Sequence, residues 1–258
     1  MEVLYIMDSF ISWIGGKKLL RKEIHNRFPK ERLKKYVEVF GGAAWVLFYK
    51  EKHAEMEIYN DINSNLVNLF KCVKYHPSAI KDELENILNS REFYNNFKEL
   101  YKSSALTDIQ RAAKYLYMIK ASYGAKVTSF GAKSRDIADT KYLLAIKERL
   151  KRVIIENKSF EELIKQYDRS DTLFYCDPPY FGTEKYYDLE KTIFDERTHI
   201  KLYETLRTIK GKFILSYNDN DYVKNLYQSF KIEKVNRQNN LTLKVGSDPY
   251  QELIIRNY

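Results

Sequence analysis

The chain has 258 residues, 44% of them hydrophobic, which is enough to bury the core of one large domain or of a domain with an insertion. Its 44 Lys and Arg against 35 Asp and Glu leave a net charge of +9, at which a nucleic-acid partner is worth considering beside a generally basic soluble protein. Cysteine and histidine spacing excludes a disulfide framework and a metal motif. No apolar stretch is long enough to span a membrane, and the positive charges at the N-terminus follow the apolar residues, the reverse of a secretory signal. We therefore expect the protein to act in a reducing cytoplasm.

The first predicted elements are a strand, a turn, a helix and a second strand. Residues 35–40 (KYVEVF) are rich in β-branched and aromatic residues and end at Gly41-Gly42. The following AAWVLFYKEK predicts a helix, residues 55–61 (EMEIYND) predict a strand, and INSNLVNLFKCVK predicts another helix. This order is typical of the opening of a nucleotide-binding α/β sheet.

The middle of the chain, residues 67–148, carries mostly helical periodicity. Thr107 and Gln110 form a capping box before the helix RAAKYLYMIKASY. The segment GAKVTSFGAKSRD then loses periodicity and predicts a loop or a small hairpin. We therefore expect a helical insertion of the size of a small domain.

Strands resume after the insertion, and the helix ERTHIKLYETLRTIK joins two of them. The predicted strands cover residues 152–157, 172–176, 212–217, 231–235 and 251–258, the last two as an antiparallel pair. The predicted fold is α/β, with a mostly parallel sheet and an antiparallel C-terminal strand. Residues 1–66 and 149–258 would form this sheet domain.

Gly41-Gly42 stand where a strand ends and a helix is predicted to begin, so the backbone there can approach a ligand closely. The pair is not a GxGxxG motif, and by itself it is more often only a turn. Asp61 lies twenty positions after Gly41, at the end of the next strand, where an acid holds ribose hydroxyls in such folds. These residues predict a nucleoside-containing cofactor, with a plain helix start as the alternative.

Asp177-Pro178-Pro179-Tyr180 follow the predicted strand 172–176, at the end where ligands of open α/β sheets bind. The prolines remove backbone donors and stiffen the chain. The Asp177 carboxylate and the Pro178 carbonyl can both accept from one amino group, and Tyr180 offers a ring for stacking. The motif predicts a site for a planar base that carries an amino group. Two such hydrogen bonds from the amino group would make its nitrogen pyramidal and so free its lone pair from the ring. The alternative is a rigid strand-to-loop turn.

Several segments in order resemble the motifs of amino-methylating DNA methyltransferases of the DNA adenine methylase (Dam) type. They are FISWIGGKKLL (10–20), VEVFGGAAWVLF (37–48), YNDINSNLVNLF (59–70), YCDPPYFG (175–182), LSYND (215–219) and the terminal ELIIRNY. The resemblance covers nearly the whole chain. It implies a Rossmann-like methyltransferase sheet that transfers the methyl group of S-adenosylmethionine (SAM) to N6 of adenine in DNA, by base flipping and direct in-line attack.

The resemblance also implies roles for individual residues, with SAM as the cofactor and no metal. The implied cofactor-binding residues are Trp13, Lys17, Phe40, Gly41, Gly42, Asp61, Phe160 and Asp177. The implied catalytic residues are Asp177, Pro178, Pro179 and Tyr180. Asp177 would lie between the cofactor and the target amine, Pro178 would supply a carbonyl, and Tyr180 would stack on the base.

The chain departs from the family pattern at three positions near the cofactor motifs. Val39 stands where the family usually has proline, Ala44 where it often has glycine, and Ser159 where it often has aspartate. The contacts expected of these family residues are therefore not carried over to the chain. Phe160 remains the residue expected to pack on the cofactor's adenine.

The basic segment KASYGAKVTSFGAKSR (120–135) is expected to contact DNA, because cations interleaved with aromatic residues suit phosphates and bases. The candidate residues are Lys120, Tyr123, Lys126, Lys133 and Arg135. A solvated basic loop is the alternative. The expected partner is double-stranded DNA, with no membrane and no obligate protein partner, for a cytoplasmic protein of bacterial or phage type.

Other readings of the same residues remain open at this point. The same chemistry would serve a cytosine N4 amine, an RNA base or a protein amide nitrogen, although Asp177 and the large basic insertion favour DNA adenine. The alternative that is not an enzyme is a catalytically silent DNA-binding module. The cofactor motifs argue against it.

Overall fold

The computed structural model describes residues 6–100, 105–125, 127–131, 142–184, 194–237 and 250–258. They form a seven-stranded sheet of β1 (Lys35–Glu38), β2 (Met56–Asn60), β3 (Val153–Glu156), β4 (Thr172–Cys176), β5 (Lys212–Asn218), β6 (Lys231–Arg237) and β7 (Tyr250–Arg256). The strand order is β3-β2-β1-β4-β5-β7-β6. Neighbours from β3 to β5 are parallel, and β7 runs antiparallel to β5 and β6. The Rossmann-like α/β prediction is confirmed.

Helices cover both faces of the sheet. They are α1 (Arg21–His25), α2 (Ser64–Tyr75), α3 (Pro77–Glu85), α4 (Arg91–Leu100), α5 (Asp108–Ala121), α6 (Leu143–Leu150), α7 (Phe160–Tyr167), α8 (Glu196–Leu206) and α9 (Asp221–Leu226). Successive strand residues face opposite sides. Tyr36 and Tyr175 therefore belong to the core under α2 to α6, whereas Val37 and Phe174 belong to the core under α7 to α9.

The helices between β2 and β3 share a hydrophobic core with the sheet. Helix α2 packs against α5 and α6 and also contacts β3. The expected domain boundaries at 66/67 and 148/149 fall inside α2 and α6. Helices α2 and α6 therefore join the insertion to the sheet without a break, and its role as a separate DNA-reading unit stays a prediction.

The helix predicted over AAWVLFYKEK is wrong, because the structure has only one 3₁₀ turn there, Leu47–Tyr49. Ala44 has a left-handed φ of 56°, and the segment is almost wholly buried, so it lacks the polar face of a surface helix. Side chains supply the missing partners: the Leu47 amide donates to Glu38, and Arg149 donates to the Leu47 carbonyl. Tertiary contacts thus replace helical hydrogen bonds.

The segment before the basic loop matches its prediction. Thr107 and Gln110 form both hydrogen bonds of a capping box at the start of α5. An antiparallel bridge between Ser122 and Phe130 closes a small hairpin. In the described ranges, none of the helices combines the length and apolar composition needed to cross a bilayer.

Candidate active site

A cavity lies at the edge of the sheet where three parallel strands end. Glu38 on β1 is in register with Tyr59 on β2 and Tyr175 on β4 at this edge. The cavity, called the cofactor cavity below, opens to solvent on one side. Of the residues expected in the site, it is lined by Trp13, Lys17, Phe40, Gly41, Gly42, Asp61, Asp177 and Pro179.

Asp61 is held at the end of β2 by two backbone amides. Its Oδ2 accepts from the Gly42 amide at 2.9 Å and its Oδ1 from the Asn63 amide at 2.9 Å. Burial raises the pKa of Asp61, and these amide donors oppose that rise. A carboxylate has about four acceptor positions, so Asp61 retains capacity for further donors such as hydroxyl groups.

The glycine pair brings the backbone close to its neighbours. A Cβ on Gly41 would lie 2.2 Å from Cε2 of Tyr59, so a side chain there would displace the Tyr59 ring. Gly42 has a φ of +47°, and a Cβ there would lie 3.0 Å from Cδ1 of Trp13. Both positions therefore require glycine, and the Trp13 ring lies directly over the Gly42 backbone.

Phe160 does not line the cofactor cavity. Its ring centre lies 5.9 Å from that of Phe40, which does line the cavity, and it is buried at the start of α7. Ser159 caps α7 by accepting from the Glu162 amide. Phe160 thus packs behind Phe40, and its expected contact with a cofactor ring stays a prediction.

Glu38 is a buried carboxyl group in the cavity wall. The Tyr36 hydroxyl and the Leu47 amide both donate to its Oε2, at 3.2 and 2.9 Å. Burial raises the pKa of Glu38 to about 8, although these two hydrogen bonds oppose the shift. Burial therefore favours the protonated form of the Glu38 carboxyl group in the cavity wall.

Asp177 stands at the end of β4, between the cofactor cavity and the loop that follows. The Lys17 ammonium lies 2.8 Å from its Oδ1, and the Ser216 hydroxyl donates to the same atom at 2.8 Å. Burial raises the pKa of Asp177, and Lys17 works against that rise. Asp177 is thus a hydrogen-bonded carboxylate whose other oxygen, Oδ2, has no partner among the described residues.

The rest of the motif, residues 178–180, is buried beside Asp177. Pro179 lines the cofactor cavity, and Tyr180 is 5% exposed. The Tyr180 hydroxyl donates to Oε2 of Glu252 on β7 at 2.5 Å, and the Lys17 ammonium lies 4.7 Å from the ring centre. Residues 177–180 form what is called the base corner below.

The structure places two of the five expected DNA-binding residues. Lys120 lies in the last turn of α5, and Tyr123, in the following hairpin, is 66% exposed. Lys126, Lys133 and Arg135 lie outside the described residues. The expectation of DNA contact therefore rests on sequence for these three.

The sequence analysis missed Glu38, Ser216 and Glu252 in the site. Glu38 and Glu252 each stand inside an otherwise apolar strand (VEV and ELII), and an acid at such a buried position is a usable signal of function or pairing. Ser216 carries no such signal, because serine is common in strands of any role. Across the described ranges, His, Cys, Asp and Glu side chains form no cluster of three or more that could hold a metal.

Comparison with known proteins gives a consistent result. Residues 13–241 match the model of a family described as D12 class N6 adenine-specific DNA methyltransferase. The chain is 28% identical over 285 residues to the type II methyltransferase M.MjaIII of Methanocaldococcus jannaschii, with 96% of this chain and 98% of that protein covered.

Two further relatives are named DNA adenine methylases. The chain is 24% identical to the Retron Ec67 DNA adenine methylase of Escherichia coli, covering 93% of this chain and 87% of that protein. It is 23% identical to the DNA adenine methylase of Haemophilus influenzae, covering 90% and 87%. The similarity thus runs through both sheet segments and the helices between them.

Proposed function

The chain belongs to the D12 class of N6 adenine-specific DNA methyltransferases, and we propose that its cofactor cavity binds SAM while its base corner receives the target adenine. As a member of this class it transfers a methyl group from SAM to adenine in DNA. One observation carries the assignment of residues: Asp61 and Asp177, each at the end of a parallel strand, line the same cavity.

The cavity fits SAM by the groups in its wall. Asp61 would accept from the ribose hydroxyls, and Phe40 would pack on the adenine ring, with Trp13 closing the cavity over the Gly42 backbone. When bound, SAM supplies a methyl group already activated by a sulfonium, so we propose a reaction without a metal or a covalent enzyme intermediate. The task of the protein residues is to align the reactants.

The base corner suits an exocyclic amine. We propose that Asp177 and the Pro178 carbonyl accept the two hydrogens of the amino group, which favours a pyramidal nitrogen with an available lone pair. The raised pKa of Asp177 makes it a better acceptor than an ordinary carboxylate. Asp177 would polarise the amine rather than remove its proton before transfer.

A target adenine inside a duplex is out of reach, so we propose that the protein flips it into the base corner. Extrusion costs a few kcal/mol. Stacking on Tyr180 would offset roughly 1–3 kcal/mol of that cost. Tyr180 is held in place by its hydrogen bond to Glu252, so its ring is pre-oriented.

Double-stranded DNA is the proposed partner, and the insertion is the proposed reader. Lys120 and the exposed Tyr123 lie together at the end of α5, next to the hairpin that Ser122 and Phe130 close. Val127 of this hairpin lines the cofactor cavity, so the basic segment adjoins the site. Free, buried cysteines suit the reducing cytoplasm in which we propose the protein acts, with no obligate protein partner.

The names of the relatives suggest a biological setting. M.MjaIII is named a type II methyltransferase, and two other relatives are named DNA adenine methylases. We propose the same setting here, DNA modification of the restriction–modification kind. The sequence context of the target adenine would then be short and fixed.

Replacing Asp61 with asparagine is expected to weaken SAM binding by about 10- to 100-fold, because hydrogen bonds to a charged group contribute about 1.5–3 kcal/mol. The amide would also turn a donor toward the Gly42 or Asn63 amide. Isothermal titration calorimetry measures the change. Asp168→Asn is the matched control, since Asp168 likewise accepts from two backbone amides but lies at the opposite edge of the sheet. Equal loss in both variants would contradict a cofactor role for Asp61.

Reversing the charge of Lys126 and Lys133 to glutamate is expected to lower DNA affinity and to flatten its salt dependence. Each lost phosphate contact should reduce the slope of log K against log salt by about 0.9. Fluorescence anisotropy over a salt series measures both. Lys34→Glu with Lys231→Glu is the control pair, because these exposed lysines lie at the amino ends of their strands, away from the site. An unchanged slope would show that Lys126 and Lys133 do not contact DNA.

The function itself is tested by incubating the protein with methyl-labelled SAM and DNA of mixed sequence, followed by nucleoside analysis. We expect labelled N6-methyladenine, and sequencing of the modified DNA gives the recognised site. Labelled N4-methylcytosine, or modification of RNA alone, would support the alternative substrates. Absence of any product from folded, SAM-binding protein would contradict the proposal.

A further inference from the structure

Lys17 lies where the cofactor cavity meets the base corner, and its ammonium is surrounded by three oxygen atoms from separate parts of the chain. Nζ lies 2.8 Å from Oδ1 of Asp177 and 3.8 Å from Oε2 of Glu252, and it donates to the Gly15 carbonyl at 2.5 Å. The side chain is 3% exposed. Lys17 is therefore a buried cation between two carboxylates, which goes beyond lining a cofactor pocket.

The Lys17 ammonium covers the ring on which the target base would stack. Nζ lies 4.7 Å from the centre of the Tyr180 ring, and Tyr217 packs near the same ring at 5.8 Å between centres. Tyr180 is 5% exposed. A flipped adenine that stacks on this face of the Tyr180 ring would have to displace the ammonium, because Nζ lies over the ring.

The Glu252 carboxylate can pair with the displaced Lys17 ammonium. It is fully buried on β7, and its Oε2 is 3.8 Å from Nζ, against 2.8 Å for Asp177. A shift of the ammonium toward Glu252 would shorten and so strengthen this second ion pair. The same oxygen accepts from the Tyr180 hydroxyl, so Glu252 also holds the stacking ring.

We propose that the Lys17 ammonium is a stand-in for the target amine in the DNA-free enzyme, and that Glu252 is the positioning residue that takes up Lys17 when the base enters. This inference deepens the proposed function and rests on it. Throughout the exchange Asp177 always faces an N–H donor, first from lysine and then from the amine. Lys17 always faces a carboxylate, so no buried charge is left without a partner, a state that would be strongly unfavourable.

The test follows base entry directly, by the fluorescence of 2-aminopurine at the target position of a duplex that carries the modified sequence, with S-adenosylhomocysteine bound. Glu252→Gln keeps an oxygen for the Tyr180 hydroxyl but removes the charge that would receive Lys17. Base capture should weaken by about tenfold or more, while calorimetry shows SAM affinity nearly unchanged. Adding Lys17→Met should restore capture to within roughly threefold of the parent protein, because no buried ammonium then has to leave the Tyr180 ring for a partner carboxylate.

The restoration separates exchange from a structural role, since a residue that merely supports the fold is not rescued by loss of Lys17. Glu57→Gln is the matched control: Glu57 is also a buried strand carboxylate in an ion pair, but with Arg149 and away from the base corner, so capture per folded molecule should not change. Unchanged capture in Glu252→Gln, or no recovery in the double variant, would overturn the inference. If Glu252→Gln does not fold, the double variant decides: capture at the parent's level supports the exchange, and weaker capture overturns it.

Failure of the proposed function would appear differently, as absence of N6-methyladenine with the unaltered protein. The exchange is then tested with free 2-aminopurine deoxyriboside, whose fluorescence falls on stacking. Stronger quenching by the double variant than by Glu252→Gln supports a ring uncovered by loss of Lys17. Equal quenching overturns the exchange.

Discussion

Asp177→Ala is expected to lower the rate of methyl transfer by about 10³-fold or more while SAM and DNA affinities change little. Loss of a group that contacts the reacting atoms typically costs 10²- to 10⁴-fold in rate, roughly the effect of removing a positioned acceptor or base. The binding surfaces should survive because Lys17 can still pair with Glu252, and Ser216 retains contacts with Tyr175 and the Cys176 carbonyl. Single-turnover rates, calorimetry with SAM and anisotropy with DNA separate the three quantities.

The graded control for this position is Asp177→Asn. Its amide keeps the shape and one acceptor oxygen but loses the charge, so its rate should fall between those of the parent and of Asp177→Ala. Parallel loss of methylation, SAM binding and DNA binding in both variants would assign Asp177 a structural role. A rate within tenfold of the parent in Asp177→Ala would remove it from the catalytic group.

Arg149→Met is expected to lower the free energy of unfolding by about 3–5 kcal/mol, because it leaves a buried carboxylate without its partner. Arg149 is 2% exposed at its side chain, and its Nη1 and Nη2 donate to both carboxylate oxygens of Glu57 at 2.8 Å. It also donates to the carbonyls of Lys50 and Leu47. Urea denaturation followed by circular dichroism measures the change.

The consequence of losing Arg149 should reach the cofactor cavity. The carbonyls that Arg149 binds belong to the non-helical segment after Gly42, and Ala43, Trp45 and Val46 of that segment line the cavity. A modest fall in SAM affinity should therefore accompany the fall in stability. Arg207→Met provides the contrast, because Arg207 and Glu204 are about half exposed and such surface pairs contribute about 0–1 kcal/mol. Similar losses in the two variants would contradict a special role for the buried pair.

Strand prediction succeeded because each strand carries its own local signal. The run TLFYC is β4 residue for residue, and the segments predicted for β2, β3 and β5 to β7 agree to within two residues at either end. The helix after Gly42 failed for the opposite reason. Its apolar residues have helical propensity, but the backbone turns at Ala44 and its carbonyls are bound by His53 and Arg149, residues that no local pattern connects with it.

The position of the candidate site was partly visible in the sequence. Asp61, Gly41-Gly42 and Asp177 were expected at strand ends, and these residues line one cavity because parallel strands bring their carboxyl ends to the same side of the sheet. Phe160 was expected at the cofactor only from the resemblance to the methyltransferase family. The distance along the chain cannot say which of two packed phenylalanines faces the cavity; Phe40 does.

The sequence alone determined the strand pattern, the glycine turn, the acid spacing and the motif of residues 177–180, because each depends on residues close together in the chain. Only the tertiary structure decided that Lys17 pairs with Asp177, that Glu252 holds Tyr180 from 72 positions away, and that Arg149 holds the segment after Gly42. These contacts join residues that are remote in sequence. They form only when sheet order, helix packing and burial bring charged groups together, and it is burial that makes their pairing strong.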